Sequence, residues 1–166
     1  YLVSIWLIPA PEDAQYLQAI INNLAVTYQA PVFNTHCTLY SPTDLPAAEV
    51  KKILKRSTKN MKSFYVKKSA ISHTENIWKT IFIELLGSPE LKQLQQAVIS
   101  QFPKAQPYEF LPHISLLYKE IPDKKKEDII RNLQVKNSFK MDKIAAAQTG
   151  PNVDNWEKVV EIPFHA

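Results

Sequence analysis

The sequence predicts an α+β protein made of two related lobes packed around a pseudo-twofold axis. Three observations carry this reading. The order strand, helix, strand, helix, strand can be followed twice along the 166 residues. The pattern 36-HCTL-39 returns as 113-HISL-116, 77 positions later. Proline pairs also recur at matching places: 45-LP-46 begins nine residues after His36, and 121-IP-122 eight after His113. Two copies are too few, and this period too long, for a solenoid. The chain therefore reads as one bilobal domain over 1–166, with halves at 1–76 and 77–166 between which strands can be exchanged.

Taken in order, 1-YLVSIWLIP-9 is apolar on both faces and reads as a central strand. Pro11 suits the first turn of a helix, and Glu12 and Asp13 suit the positive end of its dipole. Leu17, Ile20, Ile21, Leu24 and Tyr28 continue it as an apolar stripe. A strand carrying His36 follows the loop 29–35. A lysine-rich helix then buries Val50, Ile53 and Leu54, and a strand runs at about 64–71. The second round starts with 77-IWKTIFIELL-86 as a strand. Ser88 and Pro89 begin a helix with Leu91, Leu94, Val98 and Phe102 inward. A proline-broken loop leads to the strand carrying His113, then to a charged helix burying Ile129, Ile130 and Leu133. Strands at about 138–147 and 156–163 finish the chain. From Trp6 to His36 is 30 residues, and from Phe82 to His113 is 31.

Composition excludes several function classes. Only Gly87 and Gly150 are present, so neither a Walker loop nor a dinucleotide fingerprint can be built. Cys37 is the single cysteine, which rules out an internal disulfide and a multi-cysteine zinc site and fits a reducing cytoplasm. No apolar run is long enough to span a bilayer and no signal-peptide pattern is visible, so no membrane partner is expected. The opening Tyr1, in place of Met, fits a short missing N-terminal piece. The net charge is +4, and 18 of the 20 basic residues are lysines, clustered at 51–59, at 67–68 and at 124–126. Such clusters are ordinarily solvated helix faces, but their field would attract a phosphate-bearing ligand.

The two motifs carry the chemistry. In a strand, residues two apart share a face. His36 and Thr38 therefore point one way with Cys37 and Leu39 opposite. His113 and Ser115 do the same, opposite Ile114 and Leu116. A single strand histidine is most often a hydrogen-bonded structural one; two with a hydroxyl partner, at matching places in a repeated order, are not. Across a twofold axis the two units face each other over a groove. That suits in-line attack on a phosphodiester: one imidazole takes a proton from water and the other protonates the leaving oxygen. Thr38 and Ser115 can donate to the non-bridging oxygens. No metal or cofactor is called for, because Thr and Ser are poor metal ligands. His73, the one candidate for a third ligand, falls in a turn, 72-SHTEN-76, and reads as a surface residue. His165 reads as inert or frayed. Trp78, Tyr40 and Trp156 read as core or rim. Ser4, Trp6 and Ile8 share one face of the first strand, and the sequence leaves open which face that is.

These motifs resemble the 2H phosphoesterase superfamily, and more closely its cyclic phosphodiesterase branch. The likeness spans nearly the whole chain in element order and is specific at 36-HCT-38 and 113-HIS-115. It extends to 4-SIWLIP-9 and to Tyr118. The resemblance implies antiparallel sheets facing a water-filled groove, with helices outside. It also implies opening of a 2′,3′-cyclic nucleotide, or of ADP-ribose 1″,2″-cyclic phosphate, to the 2′-phosphate. By that resemblance His113 would activate water, His36 would protonate the leaving oxygen, and Thr38 and Ser115 would anchor the phosphate. Trp6 and Tyr118 would line the substrate pocket. Strict alternation puts Tyr118 on the face opposite His113, so its part in the pocket requires the strand to end near Leu117. The expected partner is a small cyclic-phosphate nucleotide, with a monomer as the working form. Two alternatives stand beside this: an enzyme of the same superfamily acting on RNA 2′,3′-cyclic phosphate ends, and a nucleotide- or RNA-binding module without turnover. The scarcity of arginine weighs against the first, and the two intact motifs against the second.

Overall fold

The computed structural model describes residues 2–165. β1 (Val3–Pro9) is buried along its whole length, as an all-apolar strand must be. Tyr1, where the sequence begins this strand, lies outside the described residues. α1 (Pro11–Tyr28) opens on its proline with Glu12 and Asp13 in the first turn. Its end is turned off by Gln29 in the left-handed conformation, φ 53°, and Ala30 N–H closes on the Ala25 carbonyl at 2.9 Å. β2 (Cys37–Thr43), α2 (Ala47–Ser57) and β3 (Phe64–His73) complete the first round. β4 (Ile81–Leu85), α3 (Pro89–Ile99), β5 (His113–Leu117), α4 (Asp123–Asn132) and β6 (Ser138–Gln148) make the second, and β7 (Glu157–Pro163) ends the chain. The Ser88 side chain caps α3 by accepting from Leu91 N–H at 3.2 Å.

The fold is α+β: the described residues form seven antiparallel strands and four α-helices. The strand order is β1-β2-β5-β4-β3-β6-β7, and β1 also pairs with β6. β6 makes this possible. Its first residues pair with β3 (Val66↔Phe139), while the rest lies between β1 (Trp6↔Ala145) and β7 (Ala145↔Glu161). Pairing thus crosses the sequence repeat in both directions, since β3 joins β4 from the second half while β6 joins β1 from the first. The strands β1-β2-β5-β4-β3-β6 close on themselves.

The large core takes Val3, Ile5 and Leu7 from β1 and packs them against the helices. The opposite face of β1 sends Trp6 and Ile8 into a separate small cluster with Ala145, Ala147 and Trp156. The alanines leave room for the indole to lie against the sheet.

Several elements differ from expectation. Residues 77–79 form a short 3₁₀ turn ahead of β4 rather than strand. Asn76 Oδ1 accepts from Trp78 N–H at 3.0 Å and captures that segment as a turn. His73 ends β3 instead of lying in a turn, 3.9 Å from Glu127. In α4 only Ile129 is fully inside; Ile130 and Leu133 are half-buried, and Lys126 takes the remaining buried position. That ammonium is satisfied by the Thr74 carbonyl at 2.8 Å and by Asp123 at 3.2 Å. His165 is tied down rather than frayed, with its Nε2 2.7 Å from the Lys59 carbonyl.

Candidate active site

The site forms where β2 meets β5. The registered pair is Cys37↔Ile114, antiparallel, with both side chains fully buried in the core. One step along antiparallel strands then sets Thr38 beside His113 and His36 beside Ser115. All four face the other side, into a groove of about 670 Å³ that they line together with Trp6, Trp78, Lys79, Tyr118 and Trp156. Trp6 extends the row, since it registers with Thr38 across β1–β2. The groove face of β1 is therefore the Ser4, Trp6, Ile8 face. β5 ends at Leu117, which frees Tyr118 from strict alternation and lets it join the groove lining.

The histidines are held alike. His36 Nδ1 lies 2.6 Å from the Asn34 carbonyl, and His113 Nδ1 lies 2.8 Å from the Leu111 carbonyl, two residues upstream in each case. A carbonyl can only accept, so each Nδ1 carries hydrogen and donates, and each neutral Nε2 keeps a lone pair. Asn34 is itself positioned by α1. Gln18 Nε2 donates to the Phe33 carbonyl at 2.8 Å, and Gln18 Oε1 accepts from Thr35 N–H at 3.0 Å. Burial lowers His36 to about 4, the charge of His113 adds to this, and the Asn34 bond opposes it. His113 is also held below its ordinary value by burial, with the Lys79 ammonium adding and the Leu111 bond opposing. Burial pushes the Tyr118 phenol up to about 12 against a hydrogen bond with Ser115. Cys37, on the core face, is pushed to about 12 by burial and is unsuited to nucleophilic chemistry.

The groove contains more than the motifs foretell. Trp78 and Trp156, read from sequence as core or rim, both line it, and their rings stack at 5.6 Å and 28°. Among the described residues, Lys79 is the one lysine or arginine that lines the groove, and no carboxylate lines it. Its Nζ lies 4.6 Å from the centre of the Phe82 ring, which lies T-shaped to His113 with the ring centres 5.4 Å apart. Ser4 also lines it, hydrogen-bonded to Ser41 and Thr149. Only Ser4 carried a sequence signal, its shared face with Trp6. Tyr40, by contrast, is buried in the core as expected. Among the described residues no group of three or more His, Cys, Asp or Glu is placed to hold a metal ion, and no helix is long and apolar enough to cross a membrane.

Comparison with known proteins agrees in family and in fold. Residues 2–162 match the family described as Cyclic phosphodiesterase-like protein. The cyclic phosphodiesterase of Arabidopsis thaliana is 22% identical over 165 residues, covering 94% of this chain and 91% of the relative. A crystal structure of a phosphoesterase superposes with a TM-score of 0.67 at 13% identity, covering 99% of each chain. E. coli LigT complexed with 3′-AMP superposes with a TM-score of 0.65 at 14% identity, covering 99% of this chain and 98% of that one. With the family match running almost end to end, the chain belongs to the cyclic phosphodiesterase-like family of 2H phosphoesterases and is a phosphodiesterase that hydrolyses cyclic phosphates.

Proposed function

We propose that the substrate is a 2′,3′-cyclic nucleotide or ADP-ribose 1″,2″-cyclic phosphate, opened without a metal to the 2′-phosphate. The observation that carries this reading is the seam itself: two imidazoles with their Nδ1 atoms engaged, and two hydroxyls, all lining one groove where β2 meets β5, with His36 one residue ahead of β2. Water attacks phosphorus and gives a proton to His113 Nε2. The bond from phosphorus to O3′ breaks, and His36 Nε2 supplies the proton that makes the 3′-hydroxyl. Thr38 and Ser115 donate to the non-bridging oxygens, where charge grows in the transition state. Trp6 supports His36 as the acid: its indole lies parallel under that ring at 3.8 Å and 13° and stabilises an imidazolium by cation–π attraction, against the burial that lowers this ring. The bound phosphodiester anion supplies the rest by raising both histidines. A groove lined by aromatic rings suits a nucleoside, and the structurally similar E. coli LigT has been crystallised with 3′-AMP.

The test is hydrolysis of 2′,3′-cyclic AMP in EDTA by the wild type, His36→Ala and His113→Ala, with the 2′- and 3′-phosphate products resolved. The wild type should release the 2′-phosphate, and each variant should lose about 10²–10⁴ in kcat. Turnover that needs an added divalent ion, or that survives both substitutions, rejects the two-histidine mechanism. No turnover of the mononucleotide together with turnover of RNA bearing a cyclic phosphate end moves the substrate to RNA.

A further inference from the structure

A nucleobase stacks only on a ring with a free face, and two of the groove's aromatic rings have none. Trp6 is 2% exposed and His36 covers one face of it. Tyr118 is 5% exposed: Phe33 stacks on it at 4.1 Å, and Trp78 and Trp156 meet it at 5.3 and 5.7 Å in edge-on geometry. Trp78 differs. It is 37% exposed, the most open aromatic side chain lining the groove.

Its surroundings fix it in place. Asn76 holds its N–H, Thr80 Oγ1 donates to the neighbouring Ile77 carbonyl at 2.8 Å, and Thr74 Oγ1 donates to the Lys79 carbonyl at 2.7 Å. Trp156 braces the Trp78 ring, and is itself oriented by Nε1–H donation to the Gly150 carbonyl at 2.8 Å. The Trp78 carbonyl accepts from Ser115 Oγ at 3.3 Å. The exposed indole is thus anchored through its own backbone beside Ser115 of the motif.

We infer that Trp78, braced by Trp156, is the platform on which the base of a nucleotide substrate stacks, while Trp6 and Tyr118 support His36 and the platform from behind. This rests on the nucleotide reading above. It assigns Trp6 to the acid rather than to the base.

Competitive inhibition by adenosine 2′-monophosphate and by inorganic phosphate separates the two contacts, because phosphate has no base. Trp78→Ala should weaken the nucleotide about ten- to a hundredfold and leave phosphate unchanged. Trp78→Phe should recover most of the loss, which a misfolded protein would not do. Trp6→Phe should keep nucleotide affinity while lowering kcat and moving the pH profile. Full nucleotide affinity in Trp78→Ala, or its loss in Trp6→Phe, overturns the assignment. A wild type that turns over 2′,3′-cyclic phosphates of all four nucleosides no better than glycerol 1,2-cyclic phosphate also overturns it, because no base is then being read. A wild type that opens none of these esters, nor ADP-ribose 1″,2″-cyclic phosphate, rejects the nucleotide reading itself, and this assignment with it.

Discussion

Burial opposes protonation of both imidazoles in the groove, and a charge on His113 opposes that of His36 further. His36 is held at about 4 and His113 below 6.5, so both rings are neutral at pH 7 when the groove is empty. The proposed reaction needs one proton on the pair. The free enzyme carries just one between the two apparent pKa values of the pair, both on the acidic side of the ordinary range. Bound phosphodiester raises both values. Since kcat/KM reports the free enzyme and kcat the complex, kcat/KM should peak at lower pH than kcat. Lys79 tunes this. Lys79→Gln removes a positive charge that lowers His113, so the kcat/KM profile should move to higher pH. KM should rise by no more than about fivefold, the ~1 kcal/mol of a partly exposed charge contact. Coincident optima for the two parameters, or a Lys79→Gln profile that stays in place, contradict this electrostatic account.

The elements hold these residues through contacts of differing range, and range decides what a sequence can disclose. Helix stripes, proline starts and the shared face of His36 and Thr38 follow from local periodicity, so α1, β2 and the motif geometry were legible. The run 77-IWKTIFIELL-86 has the composition of a strand. It turns first because the side chains of Thr74, Asn76 and Thr80 bind backbone, a competition that hydrophobicity does not register, and so Trp78 was not foreseen in the groove. Trp156 arrives there through the pairing of β6 with β7, which has no local signature. The clamp from Gln18 to the loop before His36 is likewise a tertiary contact. Under the proposed mechanism it gives α1 a part in orienting His36. Gln18→Leu keeps the helix but releases the Phe33 carbonyl and the Thr35 N–H on either side of Asn34, whose carbonyl orients His36. Kinetics on 2′,3′-cyclic AMP should show kcat lower by about ten- to a hundredfold with KM little changed, and denaturant titration a stability loss of about 1–3 kcal/mol. A rise in KM alone points instead to a role in binding.

At the scale of the molecule, neither half can open alone, because β6 pairs with β1, β3 and β7 and the strand ring closes at the seam bearing both histidines. Site and fold should therefore melt together. Acid is the natural probe. A histidine whose folded value lies below its unfolded value binds more protons once unfolded, so its contribution is complete above the unfolded value near 6.5 and is lost as pH falls toward about 4 for His36. Each such proton contributes a slope of at most about 1.4 kcal/mol per pH unit. Asp13 adds a lower window. Burial raises its carboxyl, but Lys136 and the Lys140 N–H more than offset this and hold it below its ordinary value, so its contribution goes as pH falls below about 3.8. All three tryptophans line the groove, so intrinsic fluorescence reports the site while far-ultraviolet circular dichroism reports the sheet and helices. Denaturant midpoints measured by both should coincide and fall together from pH 6.5 to 4, and His36→Gln should flatten much of that slope. A wild-type midpoint constant over this range rejects the buried neutral His36, and a fluorescence transition preceding the dichroism one means the groove opens while the rest of the sheet stays closed.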